Sequence, residues 1–248
     1  MVFPAPTQDI PYLTTEQMIE VDRLMIEDYH IELIQMMENA GRGLAHLARR
    51  RFLDDQPDGK TIAVLAGTGG NGGGALVCAR RLHNYGARVA VYTSRPAEEF
   101  RPVPAHQLDI LARMGLSIAD AGGLEHAGRP DLVVDGVIGY SLKGAPRGGS
   151  ADLIRWANRR NAPILALDVP SGMDASSGTV YDPVMQADAT LTLALPKEGL
   201  RTPGIEPLLG ELYLADISVP PGLYAEPSLR LEVGPIFAQS DILFLRDN

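Results

Sequence analysis

From Thr61 to Ile217 the chain alternates short, continuous apolar runs with segments whose apolar residues recur at helical spacing, and this alternation limits the available folds more than any other feature. A run of apolar residues without polar alternation is a strand buried on both faces. Helices lying between such strands supply the cover, so the pattern predicts an α/β fold built on a mainly parallel sheet. Strands are expected over 61–66, 87–93, near 116–118, 131–137, 163–168, 189–194 and 211–216, with helices over 72–85, 103–114 and 149–160. Two further helices precede the sheet. Thr14 and Gln17 have the spacing of a capping box, followed by Met18, Val21, Asp22, Met25 and Ile26 at helical spacing; the second helix is expected over 32–51. The tail from Pro220 is rich in proline and carries the weakest pattern.

In open α/β sheets, ligands bind where strands end and loops begin. Three such junctions carry chemistry. Thr61–Ala66 runs into Gly67-Thr-Gly-Gly-Asn-Gly-Gly-Gly74, in which Gly67, Gly69 and Gly72 have the spacing of a dinucleotide-binding turn. The acidic residue that should follow about twenty positions later is missing, since the next strand ends in Thr93-Ser94-Arg95, and no Lys-Ser/Thr makes it a P-loop. A tight turn would need fewer glycines, so the loop is read as a ligand contact. At the second junction Asp131-Leu-Val-Val-Asp135 ends in a carboxylate and continues as Gly136-Val-Ile-Gly139-Tyr-Ser-Leu-Lys143-Gly144. At the third, the apolar run Pro163–Leu167 delivers Asp168 and then Pro170-Ser171-Gly172. These loops should converge on one sheet edge, where Lys143 and Asp168 would form an acid/base pair, each charge shifting the other's pKa. Ser171 lies outside any Gly-x-Ser-x-Gly elbow and reads as a turn-forming or ligand-coordinating hydroxyl. Lys197, in Leu195-Pro-Lys-Glu-Gly199, faces either the same edge or solvent.

Of the 248 residues 45% are hydrophobic, enough for a sizeable core, and with no linker-like interruption a single domain over 1–248 is expected. A net charge of −9, from 22 Lys+Arg against 31 Asp+Glu, argues against non-specific nucleic-acid binding. No apolar run reaches the length of a membrane span, and the start, Met1-Val-Phe-Pro, lacks a charged segment followed by an apolar one. A soluble, cytoplasmic protein without a membrane partner is therefore expected. Cys78, the only cysteine, falls within a helical apolar pattern and reads as a small buried side chain. The five histidines show no zinc-site spacing.

Taken in order, Leu13-Thr-Thr-Glu-Gln-Met18, Met37-Glu-Asn-Ala-Gly41, Gly70-Asn-Gly-Gly73, Val134-Asp135, Gly139-Tyr-Ser-Leu-Lys-Gly144, Asp168-Val-Pro-Ser-Gly172 and Leu195-Pro-Lys-Glu-Gly-Leu200 resemble the NAD(P)H-hydrate epimerase family, the YjeF N-terminal domain. The resemblance implies a Rossmann-like three-layer αβα sandwich, a homodimer, and interconversion of the R and S forms of NADH and NADPH hydrated at C6 of the nicotinamide ring, a metabolite-repair reaction. By the same resemblance Asn71, Asp135 and Ser171 match potassium ligands. Gly70, Asn71, Gly72, Gly73 and Gly74 match one substrate-binding loop, and Gly139, Tyr140, Ser141, Leu142, Lys143, Gly144 and Ala145 match the other. Asp168 matches a substrate-contacting catalytic acid, with Lys143 as its partner. Epimerisation at C6 requires a carbinolamine to lose and regain hydroxide or to open its ring, which suits a proton donor beside a carboxylate.

Two departures stand out. The family loop usually reads Asn-Asn-Gly-Gly-Asp-Gly, whereas this chain carries Gly74 in place of the aspartate. A carboxylate there is expected in the first turn of the 72–85 helix, where the helix dipole favours it. The kinase-like dehydratase domain often fused behind this one is also missing, which points to a stand-alone epimerase. Loss of the loop aspartate speaks for the alternative, a non-catalytic nucleotide-binding or dimerisation module of the same fold. An ordinary dehydrogenase is disfavoured by Arg95 and by the lack of a substrate domain.

Overall fold

The computed structural model describes residues 3–245; Met1, Val2 and residues 246–248, the two ends of the expected 1–248 domain, lie outside the described residues. Eight strands form one sheet: β1 Thr61–Ala66, β2 Arg88–Thr93, β3 Ser117–Asp120, β4 Leu132–Gly136, β5 Ile164–Leu167, β6 Ala189–Leu193, β7 Glu211–Ala215 and β8 Ile242–Leu245. Their spatial order is β3-β2-β1-β4-β5-β6-β7-β8. The first seven are parallel, as the sequence predicts, and β8 runs antiparallel beside β7. From β1 the chain proceeds outward to β2 and β3, then returns to β4 on the other side. The carboxyl ends of β1 and β4 thus flank the point where the strand order reverses, and a crevice opens there.

Strand periodicity divides the core between the two faces. Ile62, Val64 and Ala66 of β1 pack in one cluster with Leu44 and Leu47 of α2 (Leu33–Phe52), Leu76 of α3 (Gly70–Asn84) and Leu111 of α4 (Pro102–Arg113). Ala63 and Leu65, on the opposite face, pack with Leu153, Ile154 and Trp156 of α5 (Gly149–Asn158). The result is the expected αβα sandwich. Before it lies α1 (Thr15–Arg23), opened by the predicted capping box: Thr14 Oγ1 accepts from Gln17 N–H, and the Gln17 side chain accepts from Thr14 N–H. It runs on into one π-helical turn, Leu24–Asp28.

The helix expected from residue 72 begins earlier, at Gly70. Glycine propensity argues for a loop at this point. Tertiary packing overrides it, because a Cβ at Gly41 of α2 would lie 2.5 Å from the Gly74 carbonyl oxygen and 2.4 Å from Val77 Cβ. Only small residues let α2 and α3 approach so closely.

Candidate active site

A cleft of about 460 Å³ lies at the carboxyl ends of β1, β4, β5 and β6, within the size range of small-molecule sites. The loop after β1 lines it with Thr68, Gly69, Gly70 and Asn71, and the loop after β4 with Val137, Ile138, Gly139, Tyr140 and Ser141. Asp168 and Lys197 also line it. Met18 and Asp22 of α1 and Met36 and Met37 of α2 close the opposite wall, while Ser94, Arg95, Arg101 and Ser150 complete the lining.

Asp168 is the residue immediately after β5, and its φ of 69° is unusual for a non-glycine residue. Such strain persists only when the surroundings over-determine it. Its N–H donates to the Leu191 carbonyl at 2.8 Å. Its Oδ1 accepts from Lys197 Nζ at 2.5 Å and from Thr192 Oγ1 at 3.4 Å, while Oδ2 accepts from Tyr140 N–H at 3.3 Å. Lys197 is fully buried and also donates to the Leu193 carbonyl at 2.7 Å. The N-terminal segment fixes its loop: Leu13 N–H donates to Pro196 O, and Glu198 N–H donates to Leu13 O, each at 2.8 Å.

The expected Lys143–Asp168 pair is therefore corrected to Lys197–Asp168. Ser141 is the last residue of the β4 loop to line the cleft, and Lys143 is exposed beyond it. An exposed ammonium keeps its hydration, whereas a buried one requires acceptors such as the Asp168 carboxylate, the Leu193 carbonyl and the Thr192 hydroxyl around Lys197. The signal that pointed to Lys197 was its position just past the end of β6, between Pro196 and Gly199, in a loop at the same sheet edge.

The glycine-rich loop serves two purposes. A Cβ at Gly72 would fall 1.8 Å from the Gly67 carbonyl oxygen, and one at Gly67 would fall 1.9 Å from the Val137 oxygen, so these positions are sealed by backbone contact. Gly69 and Gly70 meet nothing and face the cleft, at the amino end of α3, where unpaired N–H groups and the helix dipole favour an anion. Of the expected loop 70–74, Gly70 and Asn71 line the cleft, whereas Gly72, Gly73 and Gly74 face inward. The Cβ directions at Gly73 and Gly74 point at Met37 Sδ (2.5 Å) and Leu167 Cδ2 (2.8 Å). Because α3 begins at Gly70, position 74 lies beyond its first turn, and its side-chain direction meets the buried apolar side chains of Leu167 and Ala40, which line the cleft. The favourable dipole contact expected for a carboxylate there is not available. Of the expected loop 139–145, Gly139, Tyr140 and Ser141 line the cleft; Leu142, Lys143, Gly144 and Ala145 do not.

Asp135, Ser171 and Asn71 all meet the segment that follows β4. Asp135 Oδ1 accepts from Val137 N–H at 3.1 Å and Ser171 Oγ at 2.6 Å, and Oδ2 accepts from Ser171 N–H at 2.9 Å. Every one of these donors is neutral. Burial pushes the Asp135 carboxyl up to about 6, against the opposing pull of the Ser171 and Val137 hydrogen bonds. Ser171 Oγ accepts from Ile138 N–H at 2.8 Å. Asn71 packs against Gly139, where a Cβ would lie 3.2 Å from its Oδ1, and its buried Nδ2 has no hydrogen-bond partner. Carboxylate, hydroxyl and amide oxygens form a hard donor set suited to a monovalent or alkaline-earth cation. Among the described residues, no group of three or more His, Cys, Asp or Glu side chains is placed to hold a metal ion. No helix among them is long and apolar enough to cross a membrane.

Residues 33–199 match the family model for the YjeF-related protein N-terminus. The NAD(P)H-hydrate epimerase of Dehalogenimonas lykanthroporepellens is 44% identical over 234 residues, covering 94% of this chain and 93% of that protein. The NAD(P)H-hydrate epimerase of Rhodopirellula baltica is 34% identical over 218 residues, 87% of each chain. A bifunctional NAD(P)H-hydrate repair enzyme of Moorella thermoacetica is 37% identical over 86% of this chain, which spans only 41% of that longer relative. The crystal structure of a yeast protein superimposes with a TM-score of 0.81 at 23% identity, over 95% of this chain and 100% of that one, a likeness of fold. With a family match across α2 to the Lys197 loop and relatives similar along nearly their whole length, the chain belongs to the family of YjeF-related protein N-termini.

Proposed function

We propose that this protein is an NAD(P)H-hydrate epimerase, an isomerase that interconverts the R and S forms of NADH and NADPH hydrated at C6. The observation that carries this reading is the Asp168 carboxylate, anchored through Oδ1 by buried Lys197 and set in the wall of the cleft, in a chain 44% identical to an enzyme of that name. Glycine backbone at the amino end of α3 suits the pyrophosphate, and the Met18, Met36 and Met37 wall suits an unsaturated ring.

The chemistry asks one carboxylate to move one proton between neighbouring atoms. Asp168 takes the proton of the C6 hydroxyl as the C6–N1 bond breaks, leaving an aldehyde carbon, while the electron pair stays on N1. Asp168 then returns the proton to N1. Rotation about C5–C6 and the same steps in reverse close the ring on the opposite face of the carbon. Lys197 keeps the carboxylate oriented and offsets its charge during these transfers. Lys143 on the exposed part of the β4 loop is assigned to the anionic, phosphate-bearing portion of the substrate, not to the proton step.

Potassium is the proposed resident ion. Asn71, Asp135 and Ser171 would hold it through oxygen atoms, and it would supply the positive charge that buried Asp135 otherwise lacks. The reading also takes 1–248 as one domain, acting as a cytoplasmic homodimer without nucleic-acid or membrane partners. Incubating the purified protein with the separated S and R hydrates, and following their exchange by chromatography, tests the activity. Exchange no faster than the spontaneous background would remove it. Light scattering tests the dimer.

A further inference from the structure

Asp22 of α1 is a second carboxylate in the same cleft. It accepts a short hydrogen bond from the Tyr140 hydroxyl. The same tyrosine donates its backbone N–H to Asp168 Oδ2 at 3.3 Å. Tyr140 thus joins the two carboxylates, one through its side chain and the other through its main chain.

The remainder of the segment is fixed as well. Val137 N–H is held by Asp135, Ile138 N–H by Ser171, and Gly139 lies against Asn71. Tyr140 is anchored through its side chain, and beyond Ser141 the loop leaves the cleft wall. The anchor itself sits on a rigid base, because α1 is capped at Thr14 and the residue before that cap is bonded on both sides to the Lys197 loop. The π-helical turn begins two residues after Asp22, and such turns are frequent beside functional sites. Burial raises the Asp22 carboxyl above the ordinary range, with Asp168 adding to the rise while the Tyr140 bond and the Lys197 charge oppose it. A carboxyl so placed is costly to leave without its donor.

We infer that Asp22 is a positioning residue of the reaction: it holds the Tyr140 ring, and Tyr140 in turn holds Asp168 Oδ2 at the angle needed for proton transfer. This rests on the epimerase reading and on Asp168 as its acid/base group. Misplacing a catalytic group by about 1 Å costs on the order of 100-fold in rate, so the loss belongs in kcat rather than KM.

The test measures kcat and KM for hydrate exchange, with thermal melting as a control for folding, in Asp22→Ala, Asp22→Asn, Tyr140→Phe and the Asp22→Ala/Tyr140→Phe double variant. Asp22→Ala and Tyr140→Phe should each lower kcat by about 10- to 100-fold with KM within about threefold of wild type. The double variant should be no worse than either single one, because both remove the same contact. Asp22→Asn retains an oxygen that accepts from Tyr140 and should recover kcat to within about fivefold of wild type. If Asp22→Asn were as slow as Asp22→Ala, if the two losses multiplied, or if kcat stayed unchanged in folded variants, the positioning role would be overturned while the epimerase reading stood. A wild type at background rate would overturn both.

Discussion

Lys197 Nζ stands 2.5 Å from Asp168 Oδ1, with Lys197 0% and Asp168 3% exposed. A pair this deep is sensitive to the loss of either member, since the survivor is left as an uncompensated charge or a desolvated polar group. It also connects three distant parts of the chain: β5 provides the carboxylate, the segment after β6 provides the ammonium, and Leu13 fixes the backbone on either side of the lysine.

Lys197→Met keeps the stem volume and removes the charge. It is expected to destabilise the fold by about 3–5 kcal/mol, the usual cost of breaking a buried pair, and to abolish exchange. Adding Asp168→Asn should restore much of the stability without restoring activity. Chemical denaturation of the single and double variants checks this, and a Lys197→Met protein as stable as wild type would show that the pair carries no such weight.

Asp168→Asn alone fills the same space but leaves the buried Lys197 ammonium without its carboxylate, so it should cost about 3–5 kcal/mol of stability, and the folded protein should exchange the hydrates about 10²- to 10⁴-fold more slowly. Lys143→Ala should behave differently. Its side chain is exposed and Asp168 has another partner, so the expected outcome is a higher KM with kcat within about threefold of wild type. A Lys143→Ala variant as inactive as Asp168→Asn would return the proton step to Lys143.

Asp135 is a buried carboxylate whose donors are all neutral, so a cation at Asn71, Asp135 and Ser171 should stabilise the native state by mass action. Exchanging tetramethylammonium for potassium at constant ionic strength is expected to raise Tm by about 2–4 °C, equivalent to about 1 kcal/mol in a chain of this size. Asp135→Asn should erase the difference. Equal melting temperatures and equal exchange rates in the two salts would remove the ion from the proposal.

Residues whose role follows from local pattern were legible in advance. Asp135 and Asp168 each end an uninterrupted apolar run, and in a parallel sheet that is enough to place both at the carboxyl edge. Lys197 was harder to read. Leu195 and Pro196 separate it from β6, and its burial depends on contacts with Asp168 and the Leu13 segment that lie far away in sequence. Asp22 was hidden for a similar reason, because within α1 it shares the spacing of apolar neighbours and its partner is 118 residues away. The antiparallel strand Ile242–Leu245 is four residues long in a proline-rich tail, too short for periodicity to distinguish.

Gly74 shows how far the family motif can mislead when it is read without packing. A carboxylate at this position promises a favourable dipole contact, yet the Cβ direction meets buried apolar side chains beneath the cleft, 2.8 Å from Leu167 Cδ2 and 3.6 Å from Ala40 Cβ. Leu167 ends β5 and directly precedes Asp168, so any adjustment made by its side chain is transmitted to the acid/base residue. Gly74→Asp should therefore destabilise the protein by about 1–3 kcal/mol through overpacking and carboxylate desolvation, and should slow exchange. The glycine form should be the active one. Measuring Tm and exchange rate in wild type and Gly74→Asp decides the matter: a variant more stable and more active than wild type would mean that Leu167 yields freely and that the motif aspartate contributes to function in this chain too.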